Sequence, residues 1–297
     1  MSRTLSPSTG RRYGVRMTAD AFGVARSTVY ATRSRRRSPK PSAKRGPRTK
    51  YSDEQLLEAI RRDLAESPFN GEGHRKVWAR LRHAGVRTSK ARVLRLMGEA
   101  RLTAPFRQVR VLGPRNHDGT IIPEQPDRMW GTDATSTFTR LEGQVTVFVA
   151  VDHCTAEGVG IHAAKIGNRF EALEPIRQGI SDRFGAYEES IAVGLKLRHD
   201  HGSQYMSDDF QAELTFLGIE SSPAFVRAPE GNGCAERFIR TLKEQLLWVR
   251  CFDTVEELRR ALLEWLKVYN EKWLIERHGH RSPAQVRRAL VAAQAAA

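Results

Sequence analysis

Apolar residues recur at helical spacing through the first third of the chain. Residues 53–67 carry them at intervals of one, three and four, which predicts an amphipathic helix with Ser52 as its N-cap. Similar spacing predicts helices over 75–83 and 89–97, and Gly85 is expected to form a turn between them. Two helices around a short turn predict a helix-turn-helix in this part of the chain.

The last of these helices has an apolar side and a basic side. Val93, Leu94 and Met97 are expected to be buried. The basic residues expected to face outward are Arg87, Lys90, Arg92 and Arg95. A glycine turn followed by a basic helix is typical of DNA-binding helix-turn-helix modules, so the last three of these basic residues are candidate DNA contacts.

An earlier segment, residues 18–33, predicts two short helices around Gly23. Arg26 would open the second helix, where it could face a DNA groove. A helical hairpin that makes no DNA contact is the alternative interpretation.

The pattern changes after residue 128. Short apolar runs predict strands over 130–138, 144–151, 159–163, 195–198 and 219–221. Helical spacing predicts helices over 170–184, 210–217, 234–250 and 255–269. Because the early strands are consecutive and the later ones alternate with helices, we predict an α/β fold, a mixed five-stranded sheet with helices on both faces, preceded by all-α modules.

Positive charge is concentrated at the front of the chain. The 297 residues include 49 Lys and Arg against 34 Asp and Glu, and residues 1–50 hold 14 of the basic residues with one acidic residue. Such a basic segment predicts binding to a polyanion, most often nucleic acid. The Arg- and Pro-rich stretch 34–50 predicts an extended linker along phosphates, and a solvated tether is the alternative.

Several classes of protein are excluded by composition. No run of about 18 apolar residues and no signal-peptide segment is present, so we expect a soluble, unexported protein without a membrane partner. The three cysteines, Cys154, Cys234 and Cys251, are odd in number and form no CxxC pair. They predict reduced packing residues, not a disulfide framework or a zinc site.

Three acidic residues stand where phosphoryl-transfer chemistry would need them. Asp133 lies in the first predicted strand, Asp200 follows the fourth, and Glu236 lies near the start of a helix. If the first and fourth strands are parallel neighbours, their acids share one edge. Converging carboxylates repel unless divalent cations bind, and hard oxygen ligands suit two Mg²⁺ or Mn²⁺ ions. Each acid alone is more commonly a surface or capping residue, so spacing leaves both interpretations open.

The helix that carries Glu236 also carries cations. At about 100° per residue, Arg240 and Lys243 fall within about 40° of Glu236. An adjacent apolar stripe is expected to pack on the sheet, formed by Ile239, Leu242, Leu246 and Val249. This arrangement suits a metal ligand beside two phosphate contacts.

Three sequence blocks resemble a known family. The blocks TrpGlyThrAsp at 130–133, HisAspHisGlySerGlnTyr at 199–205 and GlyAsnGlyCysAlaGluArgPheIleArgThrLeuLysGlu at 231–244 resemble the catalytic blocks of DDE transposases of the retroviral-integrase type. Within that type, the chain resembles the downstream-frame product of the bacterial insertion-sequence family numbered three. TyrAsn at 269–270, SerProAla at 282–284 and the helical segment 51–103 extend the resemblance over nearly the whole chain.

The resemblance implies a ribonuclease-H-like catalytic fold and a Mg²⁺-dependent enzyme, with two Mg²⁺ or Mn²⁺ ions per site. The implied activity is 3′-end cleavage and strand transfer at the terminal inverted repeats of an insertion sequence. By position, Asp133, Asp200 and Glu236 become the catalytic, metal-binding triad. Lys243 becomes a contact to the transposon end, and Gln204 belongs to a loop beside the site.

The same resemblance implies partners and a location. The DNA partners are double-stranded transposon ends and target DNA, on which the chain would form a homo-multimer. A helix-turn-helix partner from an upstream frame is a further option, and the implied location is cytoplasmic and nucleoid-associated in a bacterium. The predicted domains are a basic arm with a short helix-turn-helix (1–50), a helix-turn-helix module (51–103), a linker (104–127), the catalytic core (128–250) and a helical extension (251–297).

Three alternatives stay open. The chain could be a non-catalytic DNA-binding regulator, a decayed transposase copy, or a ribonuclease-H-like nuclease on hybrids with Asp152 as a fourth acid. The chain departs from the family at ArgHisAsp (198–200), where HisSerAsp is common, at GlyAsn (231–232) and at 272–274. His199 and His201 could protonate leaving groups or be loop residues.

Overall fold

The computed structural model describes residues 3–37, 50–105, 121–224 and 232–296. It divides into two compact units, Met1–Lys50 and Tyr51–Ala297. No helix among the described residues is long and apolar enough to cross a membrane.

The first unit contains a helical hairpin. Helix α1 spans Gly14–Ala21, helix α2 spans Arg26–Arg37, and Gly23 between them has a φ of +61°. The predicted turn is therefore confirmed. The predicted linker was wrong at its start, because α2 continues to Arg37, and its residues 38–49 lie outside the described ranges.

Three helices open the second unit: α3 (Asp53–Glu66), α4 (His74–His83) and α5 (Lys90–Glu99). Ser52 forms a capping box with Gln55, and Ser89 caps α5. Their shared core contains Leu56, Ile60, Val77, Leu81, Val93, Leu96 and Met97. The prediction for Leu94 was wrong, since it is 44% exposed and Leu96 takes its place in the core.

The sheet has five strands: β1 (Met129–Thr139), β2 (Gly143–Asp152), β3 (Gly158–Ala164), β4 (Lys196–His199) and β5 (Glu220–Pro223). Their order is β3-β2-β1-β4-β5, with β1, β2 and β3 antiparallel and β4 parallel to both β1 and β5. This is the strand order of a ribonuclease-H-like sheet, and it confirms the predicted fold class.

Helices cover both faces of this sheet. They are α6 (Arg169–Phe184), α7 (Asp208–Leu217), α8 (Gly233–Leu242), α9 (Val255–Lys272) and α10 (Pro283–Ala295). On β2, Val147 and Val149 join a core with α8 and α9, whereas Phe148 and Ala150 join a core with α6 and α7. This alternation follows from the two-residue repeat of a strand.

Two packing predictions at the end of α8 were wrong. A π-helical turn, Lys243–Leu247, follows α8, and the helical segment ends there, before the predicted end at residue 250. Val249 lies beyond this end and is 57% exposed, although Ile239 and Leu242 are buried as predicted. Cys251 is also exposed, so it is not a packing residue, unlike the other two cysteines.

Strand β3 is an edge strand, and side chains from helices α6 and α9 form hydrogen bonds with its backbone. Asn270 accepts a hydrogen bond from the Gly158 N–H and donates one to its carbonyl, both at 2.9 Å. Gln178 accepts from the Ile161 N–H at 3.0 Å, and Arg259 donates to a further β3 carbonyl at 2.7 Å. The asparagine of the TyrAsn pair therefore has a structural role here.

Candidate active site

Asp133 and Asp200 lie beside each other at the place where strand β4 ends next to β1. In the parallel pair of β1 and β4, Gly131 is opposite Arg198. Two residues further along each chain are Asp133 and Asp200, so this register places them side by side on strands about 4.8 Å apart. The predicted parallel neighbours are confirmed.

Glu236 approaches this edge from helix α8. It lies in the first turn of α8, which packs on β1 and β2. Trp130 packs on the α6 side of the sheet, and because directions alternate along a strand, Asp133 points to the α8 side. Glu236 and Asp133 therefore belong to the same face.

Electrostatics show that these acids interact. The pKa of Asp133 is raised to about 6, first by burial, which disfavours the charged carboxylate, and then by the charges of Asp200 and Glu236. The Ala134 N–H, which donates to Asp133 at 2.8 Å, and the Lys243 ammonium act in the opposite direction. The structure thus brings Asp133, Asp200, Glu236 and Lys243 into one electrostatic neighbourhood.

Gln204 belongs to the same neighbourhood. The Asp200 carboxylate accepts a hydrogen bond from the Gly202 N–H at 2.8 Å, which fixes the loop after β4. A Cβ placed on Gly202 would lie 2.6 Å from Gln204 Nε2 and 2.9 Å from Asp200 Oδ1. The side-chain amide of Gln204 therefore lies close to the Asp200 carboxylate.

The residue types at this place suit a divalent metal, but the carboxylates in the described part of the chain are too far apart for three of them to bind one ion. Carboxylate oxygens are the ligands preferred by Mg²⁺ and Mn²⁺, and the mutual repulsion at Asp133 is what a cation would relieve. Within the described ranges, no three His, Cys, Asp or Glu side chains already lie close enough to hold one ion. A shared metal would have to draw them closer.

Arg240 lies one helical turn after Glu236 on α8, where it is exposed and pairs with Glu244 at 3.1 Å. The remaining candidate DNA contacts lie on other helices. Arg26 begins α2 in the first unit and is exposed. In α5, Lys90 lies over the Trp78 ring, with Nζ 4.6 Å from its centroid.

Arg92 and Arg95 on α5 are engaged with an acid. They pair with Asp53 at 2.6 and 2.7 Å, and Arg95 also pairs with Glu99 at 2.9 Å. Hydrogen bonds from Arg95 and Arg92 lower the pKa of Asp53 to about 2. The charge on this face of α5 is therefore partly neutralised within the module.

Asp152 holds a turn and has no place in the carboxylate group. Its side chain is fully buried and accepts hydrogen bonds from the Thr155 N–H and hydroxyl at 2.9 and 2.6 Å, and from the Asp127 N–H at 3.2 Å. The hybrid-nuclease alternative, which needs Asp152 as a fourth ligand, is not favoured by this arrangement.

His199 is also structural. It is fully buried, its Nδ1 lies 2.7 Å from the Asp200 carbonyl oxygen, and its Nε2 lies 2.9 Å from the Ser221 hydroxyl. Burial lowers its pKa, so the ring favours the neutral form. These contacts tie β4 to β5. His199 is therefore a buried residue of strand β4 and not the loop residue that one interpretation of the sequence expected.

A contact between the helical module and the rest of the unit was not predicted. Phe69 packs edge-to-face on Trp273, with ring centroids 4.8 Å apart. The backbone of Asn70 exchanges two hydrogen bonds with the Gln245 side chain, at 2.8 and 2.9 Å. Trp273 belongs to the stretch that departs from the family pattern, and nothing in the sequence indicated its contact with Phe69.

Comparisons with known proteins agree with this architecture. Residues 51–110 match the family model described as HTH-like domain, and residues 217–283 match the one described as Integrase core domain. The chain resembles transposases along nearly its whole length. It is 26% identical to the transposase for insertion sequence element IS629 of Shigella sonnei, over 95% of this chain and 94% of that protein.

A second relative gives the same result. The chain is 26% identical to transposase InsD for insertion element IS2D of Escherichia coli (strain K12), over 93% of this chain and 91% of that protein.

The crystal structure of the catalytic core domain of BIV integrase is 20% identical over 57% of this chain and 98% of its own, with a TM-score of 0.42. The integrase-core match includes Glu236 and Lys243, whereas Asp133 and Asp200 precede it.

The raised pKa of Asp133 predicts a pH-dependent stability. The folded protein holds this proton more tightly than the unfolded chain, so the free energy of unfolding without metal falls as pH rises from 3.8 to about 6 and stays lower above. Asp133→Asn should therefore raise that free energy by roughly 2 kcal/mol at about pH 7.5 and have little effect at about pH 4. Urea unfolding in a chelator at both pH values measures this difference.

The control is Asp182→Asn, because Asp182 is a mostly exposed carboxylate in the last turn of α6. It should leave the free energy of unfolding nearly unchanged at both pH values. An Asp133→Asn protein that is less stable than the original at neutral pH would contradict the raised pKa of Asp133.

Proposed function

We propose that this chain is a DNA transposase that binds the terminal inverted repeats of an insertion sequence, exposes a 3′ end by metal-dependent cleavage and transfers that end to target DNA. The observation that carries the proposal is geometric: the register of the parallel strands β1 and β4 sets Asp133 beside Asp200, and Glu236 lies on helix α8, which packs on the same face of the sheet. The raised pKa of the partly buried Asp133 carboxylate agrees with this placement.

A purely structural explanation of this edge is weaker. Facing carboxylates lower the stability of the folded state at neutral pH, and perturbed carboxylates of this kind concentrate at functional sites. The curated relatives that match most of the chain are transposases. A non-catalytic regulator would use the helical modules and would have no use for the three acids.

In the proposed reaction, the carboxylates of Asp133, Asp200 and Glu236 would hold two Mg²⁺ or Mn²⁺ ions. Such ions activate a water or 3′-hydroxyl and stabilise the leaving oxygen of an in-line displacement. The three acids must be ionised to do this, and Lys243 favours the ionised form of Asp133. Lys243 would also contact a phosphate of the DNA end, and the Gln204 amide would border the reacting strand near Asp200.

The basic modules would supply the DNA contacts outside the site. Residues 1–50 carry 14 Lys and Arg against one acidic residue, and electrostatic attraction of this kind provides most non-specific affinity for DNA. Lys90, Arg92 and Arg95 on α5, and Arg26 on α2, are the proposed contacts there. Because an element has two ends, we propose that a homo-multimer holds both of them.

A joining assay tests the proposal directly. The full chain is incubated with labelled oligonucleotide duplexes that carry the terminal repeats of the element and with plasmid target, in Mg²⁺, Mn²⁺ or a chelator. The expected result is metal-dependent release of a 3′-hydroxyl followed by covalent joining to target. Tight end binding with neither reaction in either metal would favour a regulator or an inactive copy.

Lys243→Ala provides a separate test of the proposed phosphate contact. Loss of one contact should weaken binding to end DNA and reduce the slope of log K against log salt by about one. Titrations of labelled end DNA at several salt concentrations measure both values. Lys267→Ala, which removes an exposed lysine from α9 on the β3 side of the sheet, is the control and should leave the slope unchanged.

A further inference from the structure

Asn232, the residue immediately before helix α8, makes a contact that no sequence pattern indicated. Asn232 is 5% exposed, and its Nδ2 donates a hydrogen bond to the Thr132 carbonyl at 2.9 Å. Thr132 directly precedes Asp133 in β1, and Asn232 lies one helical turn before Glu236. One buried hydrogen bond therefore joins the backbone beside one catalytic candidate to the helix that carries another.

This contact replaces the usual role of the residue. Asn at an N-cap position normally accepts hydrogen bonds from the first backbone N–H groups of its own helix. Asn168 does so at the start of α6, where it accepts from Phe170 and Glu171. Asn232 makes no such bond to α8, although it occupies the same position. Its side chain is used to connect the helix to the strand.

The side chains of Asn232 and His153 both lie close to Gly131. A Cβ on Gly131 would lie 2.6 Å from Asn232 Oδ1 and 2.5 Å from His153 Nε2, so a larger residue could not occupy position 131 without moving them. His153 is fully buried, and its Nδ1 lies 3.0 Å from the Ile121 carbonyl oxygen. The Asn232 amide is thus enclosed between β1 and the histidine ring.

Within the proposed function, we infer that Asn232 is a positioning residue. It sets the distance between Glu236 on α8 and Asp133 on β1, so that both carboxylates can reach shared metal ions. In the described ranges no trio of ligands is already close enough to bind one ion. The hydrogen bond to Thr132 fixes the start of α8 against β1 directly beside Asp133.

The variant Asn232→Ser separates positioning from folding. Serine is a good N-cap, so it can cap α8 in the ordinary way, but it is too short to reach the Thr132 carbonyl. We expect the melting temperature without metal to stay near that of the original chain. We expect kcat for joining to fall roughly 10- to 100-fold, as for a small misplacement of reacting groups, with KM for end DNA nearly unchanged.

A second readout does not depend on catalysis. Mn²⁺ should raise the melting temperature of the original chain, and Asn232→Ser should need roughly 10-fold more Mn²⁺ for the same increase, as for other residues that orient metal ligands. Asn168→Ser is the matched control, because it makes the same change at an ordinary cap away from the site. It should alter neither the joining rate nor the Mn²⁺ response.

The outcomes divide cleanly. Asn232→Ser with the original kcat and Mn²⁺ response would overturn the inference, and so would a loss of activity that only parallels a loss of folded protein. If Asn232→Ser does not fold, Asn232→Thr offers a second capping residue with the same expected results. If the original chain joins no DNA, the proposed function fails, and the Mn²⁺ response still tests the positioning of the ligands.

Discussion

Asp133→Asn, Asp200→Asn and Glu236→Gln should each lower the rate of strand joining by about a thousandfold. Metal ions in such sites contribute several kcal/mol to the stabilisation of the transition state, and 1.36 kcal/mol corresponds to a factor of ten in rate. Each amide keeps the shape of the side chain and removes one charged ligand. Single-turnover joining of labelled ends in Mg²⁺ measures the loss.

Binding to end DNA should survive all three changes, because the proposed DNA contacts lie mainly on other residues. The control variant Asp182→Asn removes a mostly exposed carboxylate from α6 and should join DNA at the original rate. If one of the three amide variants joins DNA normally, that residue has no part in the site. If all three do so, the proposed mechanism is wrong.

Gly160→Ala should lower the free energy of unfolding by about 3 kcal/mol, the upper part of the range for overpacked cores. Gly160 lies on β3 where α6 crosses it, and an added Cβ would overlap the Pro175 carbonyl group and lie 2.7 Å from the Pro175 Cα. The obstacle is backbone, so no side-chain rotation can relieve it. Urea unfolding followed by circular dichroism measures the change.

Gly98→Ala is the matched control for this substitution. Gly98 lies inside α5, and an added Cβ would meet nothing within 4 Å. The change should raise the free energy of unfolding by up to about 1 kcal/mol, because alanine favours helix over glycine. A neutral Gly160→Ala would mean that α6 can move away from β3, and the close helix–sheet contact would not be essential.

Local patterns in the sequence predicted the elements and the edge at which the acids meet. Ser52 was predicted as the N-cap of α3 and has that role, and the apolar run over 144–151 was predicted as a strand and forms most of β2. The placement of Asp133 beside Asp200 followed from one assumption, that β1 and β4 are parallel neighbours. The register bears out that assumption.

Other features depend on contacts between distant segments. The π-helical turn that ends this segment at Leu247 has no local mark in the sequence, and Val249 beyond it faces solvent. Asn232 looks like an ordinary N-cap until the β1 backbone is placed beside it. Trp273 packs on a module 200 residues earlier in the chain, which no periodicity could indicate.

The occupied backbone of β3 restricts how copies of this chain can associate. Asn270, Gln178 and Arg259 already satisfy polar groups along its outer side, so a strand from a second molecule would have to displace them to continue the sheet. A multimer that holds both ends of an element must therefore associate through side-chain contacts or through the DNA, and not by pairing of β3 with a strand of another copy. Fibre-like stacking of sheets through β3 is disfavoured in the same way.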